Sequence, residues 1–265
     1  MSVTIDYFLP EENSYFSLFA KAIHIEEVIN EPLPAFDKSY IIFDYNGCDI
    51  KIKDEWVKSP KSYLKPVRDH YLNYNKPKKS IYYIAVLHEC SFYKITGRQA
   101  SDYQDRFLPL DEILGIKETE KLYHQVKHVE GIEAFVDLMH HFFEKHVPQM
   151  KTTPIDDIIK HIKTSEGLVS IDELLSRSKC SQSTLNRYFL KYVGVTTSLY
   201  IRLVKFNLLI RKISNKHPIN DMICWYDYFD QSHLTKDFLR FANVKPADYL
   251  GPNFEILREV MKKAR

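Results

Sequence analysis

Residues 182–195 read QSTLNRYFLKYVGV, and residues 231–244 read QSHLTKDFLRFANV. The second stretch is the first displaced by 49 positions. Gln, Ser, Leu, Phe, Leu and Val recur at the same places, and Tyr200 is matched by Tyr249 at the same offset. Arg187/Lys236, Lys191/Arg240 and Tyr192/Phe241 keep their chemistry. In each copy one helical face is apolar: Leu185, Phe189 and Tyr192 in the first, Leu234, Phe238 and Phe241 in the second. Such a stripe has to be buried. The opposite face carries Ser183, Asn186, Arg187 and Lys191, then Gln231, Ser232, Thr235, Lys236 and Arg240. These short polar and cationic groups suit base edges and phosphates.

The punctuation around the repeat extends the pattern. A short helix is predicted before each copy, over Ile171–Arg177 and Ile219–Tyr226, which gives helix, tight turn, helix twice. Ser170 and Glu173 have capping-box spacing. Ser181 and Asp230 are N-cap residues for the two repeated helices, and Gly194 and Asn243 can close them. A longer helix is expected from Thr196 or Thr197 to Ser214, until His217-Pro218 breaks the chain. Upstream, Thr153-Pro154 followed by Asp156-Asp157 starts another helix, with acids at its positive end, and Gly167 ends it. Pro246 opens a last short turn, and a helix near Glu255–Ala264 follows.

At these residues the chain resembles the AraC/XylS family of bacterial transcription regulators. Ser181, Leu185, Arg187 and Phe189 stand as in the family's S-x-x-x-L-x-R-x-F, with Gly194 and Tyr200 at the expected distance. Tyr228, Asp230-Gln231-Ser232-His233-Leu234, Lys236 and Phe238 resemble the second signature, and Pro246 and Tyr249 its closing P-x-x-Y. The resemblance covers about Thr153 to Leu250. It departs at Asp227 and Asn243, where the family has glycines, at Ile223 for alanine, at Thr197 for proline, and at Leu190 and Leu239, where lysine commonly follows the phenylalanine. It implies two recognition helices entering successive major-groove segments of double-stranded promoter DNA. Ser183, Asn186, Arg187, Gln231, Ser232, Thr235 and Lys236 would then meet bases, and Lys191 and Arg240 phosphates. RNA polymerase as a partner, an activator's role, a homodimer and a small-molecule effector are further implications of the resemblance.

The first half reads differently. Ser39–Asp44, Asp49–Lys53 and Ser80–Leu87 are strand-like runs, and Asn46-Gly47 between the first two is a hairpin dipeptide. From Lys117 the period turns helical through Leu122, Val126, Val129, Ile132, Val136, Met139 and Phe143, up to Pro148. The expected fold class is therefore α+β: a β-rich effector-binding or dimerisation domain over 1–115, a linker helix and linker over 116–153, and an all-α domain of two helix-turn-helix units joined by a long helix over 154–265. Aromatic residues in the β domain suit either an enclosed small ligand or a plain core.

Charge divides along the same line. Residues 151–265 hold 19 Lys and Arg against 12 Asp and Glu, and residues 1–150 hold 18 against 23. The basic half suits a polyanionic partner, and on charge alone suits a solvated surface as well. Cys48, Cys90, Cys180 and Cys224 are far apart and fit reduced thiols in the cytoplasm. No apolar run reaches the ~18 residues of a membrane span. Glu120, His124 and His128 share a helical face but lack a closed ligand set, so no metal and no other cofactor is expected. No phosphate-binding, nucleophile-elbow or zinc-protease motif is present, so no enzymatic activity is expected. Two competing readings are a metal-using β-barrel enzyme in residues 1–115, and a protein–protein scaffold whose helical domain has given up DNA.

Overall fold

The structure, a computed structural model, describes residues 3–11, 15–147, 152–214, 223–226, 228 and 230–249. The chain opens with nine strands: β1 (Val3–Phe8), β2 (Phe16–His24), β3 (Val28–Leu33), β4 (Tyr40–Asp44), β5 (Asp49–Ile52), β6 (Glu55–Lys58), β7 (Ser62–Lys65), β8 (Leu72–Lys76) and β9 (Ser80–Leu87). After helix α1 (Ser91–Thr96) and a 3-10 turn at Ala100–Tyr103 comes the short β10 (Leu108–Pro109). Two antiparallel sheets result, ordered β1-β2-β9-β4-β7-β10 and β3-β8-β5-β6.

Both faces of the larger sheet are covered, which explains why Ser80–Leu87 is apolar almost throughout. Side chains alternate along β9: Tyr82, Ile84 and Val86 face the smaller sheet, and Tyr83, Ala85 and Leu87 face helices. Those helices are α2 (Asp111–Leu114), α3 (Ile116–Lys127) and α4 (Gly131–His146). The periodic run expected as one linker helix is thus two. The break falls at Glu130-Gly131, with Gly131 at φ +89°. Nor is it a free linker: Leu122, Val126, Phe135, Met139 and Phe143 complete the core under the sheet. Tyr45 donates to the Tyr123 carbonyl at 2.8 Å, and Tyr123 donates to the Asp44 carbonyl at 2.9 Å, locking α3 to the end of β4.

Asn46-Gly47 makes a turn but no hairpin, because β4 and β5 belong to different sheets. The Asp44 carboxylate accepts the backbone N–H groups of Asn46, Gly47 and Cys48 at 2.7–3.0 Å and the Ser59 hydroxyl at 2.7 Å, steering the chain across the sandwich.

The helical domain follows the expected punctuation. It comprises α5 (Asp156–Thr164), α6 (Ile171–Ser178), α7 (Gln182–Tyr192), α8 (Thr197–Ser214), α9 (Gln231–Ala242) and α10 (Pro246–Tyr249). The expected helix at Ile219–Tyr226 falls largely outside the described residues, and 223–225 are helical. Asp227 and Glu255–Ala264 also lie outside them. Tyr200, Leu203, Phe206, Leu209 and Ile210 of α8 are buried among the apolar faces of the other helices. Ala35, Val67 and Cys90 of the β domain join that same core. No single described helix is long and apolar enough to cross a membrane.

Candidate nucleic-acid interface

Ser170 caps α6 by accepting the Glu173 N–H at 3.1 Å, but the Glu173 carboxylate pairs with His161 at 2.7 Å and does not complete the box. Lys179, left-handed at φ +53°, closes α6, and Ser181 caps α7 by accepting the Thr184 N–H at 3.3 Å. With Leu185 and Phe189 fully buried, Ser183 and Arg187 face outward and are exposed. Asn186 is different. Its side-chain oxygen accepts the Thr197 N–H at 3.1 Å and so ties α7 to the start of α8. A proline at 197 would have no N–H to offer.

The second unit is built the same way. Asp230 caps α9 by accepting the His233 N–H at 2.7 Å, and Asn243 ends it at φ +56°. Leu234, Phe238 and Phe241 are buried, leaving Gln231, Ser232, Lys236 and Arg240 exposed. Thr235 is half-buried and donates to the Gln231 carbonyl at 2.8 Å. His233 sets its ring edge-on against Tyr228. Asp237, to which the sequence assigns no role, is buried, pairs with Arg202 of α8 and accepts from the Tyr228 hydroxyl at 3.1 Å. That pair fixes the second helix to the connecting one.

The β domain lies against both units. Tyr93 packs edge-on against Tyr192 with ring centroids 4.7 Å apart, and the Lys191 ammonium stands 5.1 Å from the Tyr93 ring centre. The Tyr93 hydroxyl raises the Lys191 pKa above the usual lysine range. Gln104 donates to the carbonyls of Val67 and Gly194 at 2.6 and 3.1 Å. A cleft of about 610 Å³ separates Gln99 from Gln182, Ser183, Asn186, Arg187 and Leu190 of α7. On the second unit, the Arg240 guanidinium is 3.6 Å from Asp69, and the Ala35 N–H donates to the Phe241 carbonyl at 2.7 Å.

Two buried cations, which sequence reasoning missed, hold the loops that make these contacts. The Lys65 ammonium donates to the carbonyls of Tyr103, Gln104 and Arg106 at 2.8–3.2 Å. Burial, with Arg68 nearby, pulls its pKa down to about 7. Arg68 donates to the carbonyls of Pro34 and His70. A cation inside the strand run SYLK was the only hint.

A larger cleft, about 940 Å³, opens between the β domain and α5. Leu9, Pro10, Phe16 and Ile159 supply apolar wall, and Lys38, Lys94, Lys160 and Lys163 supply charge against Glu89 and Asp156. Burial and the Lys163 charge lower the Lys38 pKa to about 8. Burial alone would raise that of Glu89, but Lys163 and Lys38 outweigh it and hold the carboxyl at about 2. The Cys48 thiol is pushed up to about 12 by burial, and burial raises Cys90 as well, the reverse of what a nucleophile needs. His128 uses a ring nitrogen on the His124 carbonyl, and no three His, Cys, Asp or Glu side chains converge among the described residues.

Residues 174–251 match a family described as a helix-turn-helix domain, a span that holds every residue of the two signatures, from Ser181 to Tyr249. Nothing among curated protein sequences matches. Among solved structures, ToxT from Vibrio cholerae aligns over 94% of this chain and 98% of its own, at 12% identity and a TM-score of 0.52. A second ToxT structure, bound to (E)-4-(8-methylnaphthalen-1-yl)but-3-enoic acid, gives the same values. The AraC-like transcriptional activator CuxR aligns over 82% of this chain and 89% of its own at 11% identity, with a TM-score of 0.34, too distant to add to that. The ToxT likeness establishes a shared fold across both halves.

Proposed function

We propose that this chain, a DNA-binding transcription regulator with an AraC-type helix-turn-helix domain, reads double-stranded promoter DNA through α7 and α9 and answers to an acidic amphiphile held between its two halves. One observation carries the first part. The duplicated helices bury equivalent apolar faces and leave Ser183 and Arg187, then Gln231, Ser232 and Lys236, exposed at equivalent positions. Arg187 has the reach and planar fork for a guanine edge. Thr235 and Asn186 are poorer readers, since each already serves the local structure. Recruitment of RNA polymerase as an activator, and action as a homodimer, rest on the family resemblance alone.

The test is fluorescence anisotropy on a promoter fragment selected by the protein from a genomic library. Arg187→Ala should cost ~1–3 kcal/mol on that site and relax preference at one base. Affinity should also fall steeply as salt rises, because phosphate neutralisation releases counterions. An Arg187→Ala variant that binds as tightly as the parent removes Arg187 from the reading set.

The second part rests on the larger cleft, whose size is that of a ligand site and whose lining joins Leu9, Pro10, Phe16 and Ile159 to four lysines and the acids Glu11, Glu89 and Asp156. ToxT, which shares the fold, is the protein seen with a butenoic acid bound. An aryl-butenoic acid should raise the melting temperature of this chain, and Lys160→Glu should abolish the rise. Equal shifts in parent and variant would move the ligand out of this cleft.

A further inference from the structure

Lys191 and Arg240 are the same position in the two copies of the repeat, 49 residues apart, and are the two side chains expected to hold phosphates. The β domain meets both, from different loops. Tyr93 of α1 takes Lys191, and Asp69, in the segment between β7 and β8, takes Arg240. One such contact is unsurprising at a domain seam. Two at equivalent positions of a duplicated motif mean that the surface of the acidic half meets the same cation of both units.

Resting on the DNA-binding reading above, we propose that this surface is an intramolecular lock: Tyr93 and Asp69 occupy the phosphate-binding cations of both helix-turn-helix units, so DNA has to displace the β domain to bind. Three further features agree with a lock. Gln99 lines the same cleft as Ser183 and Arg187 on the base-reading face of α7. The Ala35 N–H satisfies a carbonyl in the last turn of α9, which fixes that helix to the loop beside Asp69. Finally, the buried Arg68 ties the segment of Asp69 to that of Ala35 by donating to the carbonyls of His70 and Pro34, so this part of the locking surface is preformed.

The contact is also graded to be broken. Arg240 and Asp69 are half-exposed at 3.6 Å, a geometry worth little on its own. A polyanion offering many phosphates can compete with it.

The full-length chain and its Asp69→Asn and Asp69→Asn/Tyr93→Leu variants would be titrated against a fluorescein-labelled 30-base-pair duplex of random sequence at several salt concentrations. Asparagine keeps the hydrogen bond to His70 and leucine keeps an apolar contact for Tyr192, so folding is spared. Circular dichroism melting verifies it. Asp54→Asn is the control, since Asp54 is a fully exposed acid on the smaller sheet, paired with Lys51. It makes the same change in net charge at a remote place.

Each released cation should tighten binding about two- to fivefold, the range of an exposed ion pair or cation–π contact. Each should also steepen the plot of log affinity against log salt by about 0.9. Asp54→Asn should do neither. Asp69→Asn acting no differently from Asp54→Asn, or a double variant with the parental salt slope, overturns the lock while leaving DNA binding intact. No binding to the duplex by any of the proteins at low salt overturns the DNA reading, and the lock with it.

Discussion

At the scale of single residues, Asn186 separates what a repeat can tell from what it cannot. Its outward position beside Arg187 marks it as a base reader, yet its oxygen takes the Thr197 N–H. The departure at Thr197 is linked to this: a proline there has no donor, whereas threonine supplies one that Asn186 satisfies. Asn186→Ala should therefore behave as the loss of a helix cap, costing about 1 kcal/mol in urea denaturation. Thr197→Pro should be close to neutral in the same experiment, because proline suits the first position of a helix, and should free Asn186 toward DNA. If Asn186→Ala leaves the denaturation midpoint where it was, the bond is not formed in solution. Neither partner was legible alone. The identities and spacings of Leu185, Phe189, Leu234 and Phe238 were, since a face that must be buried leaves a periodic mark.

Elements were read well where local chemistry decides them. The caps Ser181, Asp230 and Ser170 and the left-handed Asn243 stand where the sequence put them, because capping depends on neighbours three residues away. Sheet membership depends on partners tens of residues distant, so Asn46-Gly47 looked like a hairpin although the Asp44 carboxylate uses it to change sheets. Gly194 combines both kinds of information. As a glycine two residues past α7 it is readable, and at φ +109° it also lies against Gln104 and Ala100 of the β domain. A Cβ there would lie 2.7 Å from the Gln104 amide nitrogen and 3.3 Å from Ala100. Gly194→Ala should cost about 1–2 kcal/mol from backbone strain alone, plus the displacement of Gln104. A double-mutant cycle with Gln104→Ala separates the two, and a coupling energy near zero would mean that the domains do not touch at this point.

Over the whole molecule, buried charge sets how the two halves respond to acid. His24 lies inside the sandwich, 3.0 Å from the Lys76 ammonium, and burial together with that charge pulls its pKa from 6.5 to about 3. A depressed folded-state pKa means that the unfolded chain binds the extra proton first. The contribution of His24 is complete above pH 6.5 and is lost as pH falls toward 3. Glu89 sits at the domain seam between Lys163 and Lys38, and its contribution is complete above 4.5 and lost only as pH falls through about 2. Lys65 and Lys38, at about 7 and 8, are mostly protonated by pH 6.5 and complete their uptake near the top of that window. Between pH 6.5 and 4.5 His24 thus takes up a proton on unfolding, in a cluster where burial also lowers the pKa of Lys76 and raises that of Glu31. The urea midpoint should drop across that window, and His24→Gln, which keeps an acceptor for Lys76 but cannot titrate there, should flatten the drop. Glu89→Gln should lower the midpoint by a similar amount at both ends, because it strands two ammonium groups whatever the pH. A parent midpoint that is level from 6.5 to 4.5 would mean that the imidazole is hydrated, and that the sandwich interior is open around Lys76.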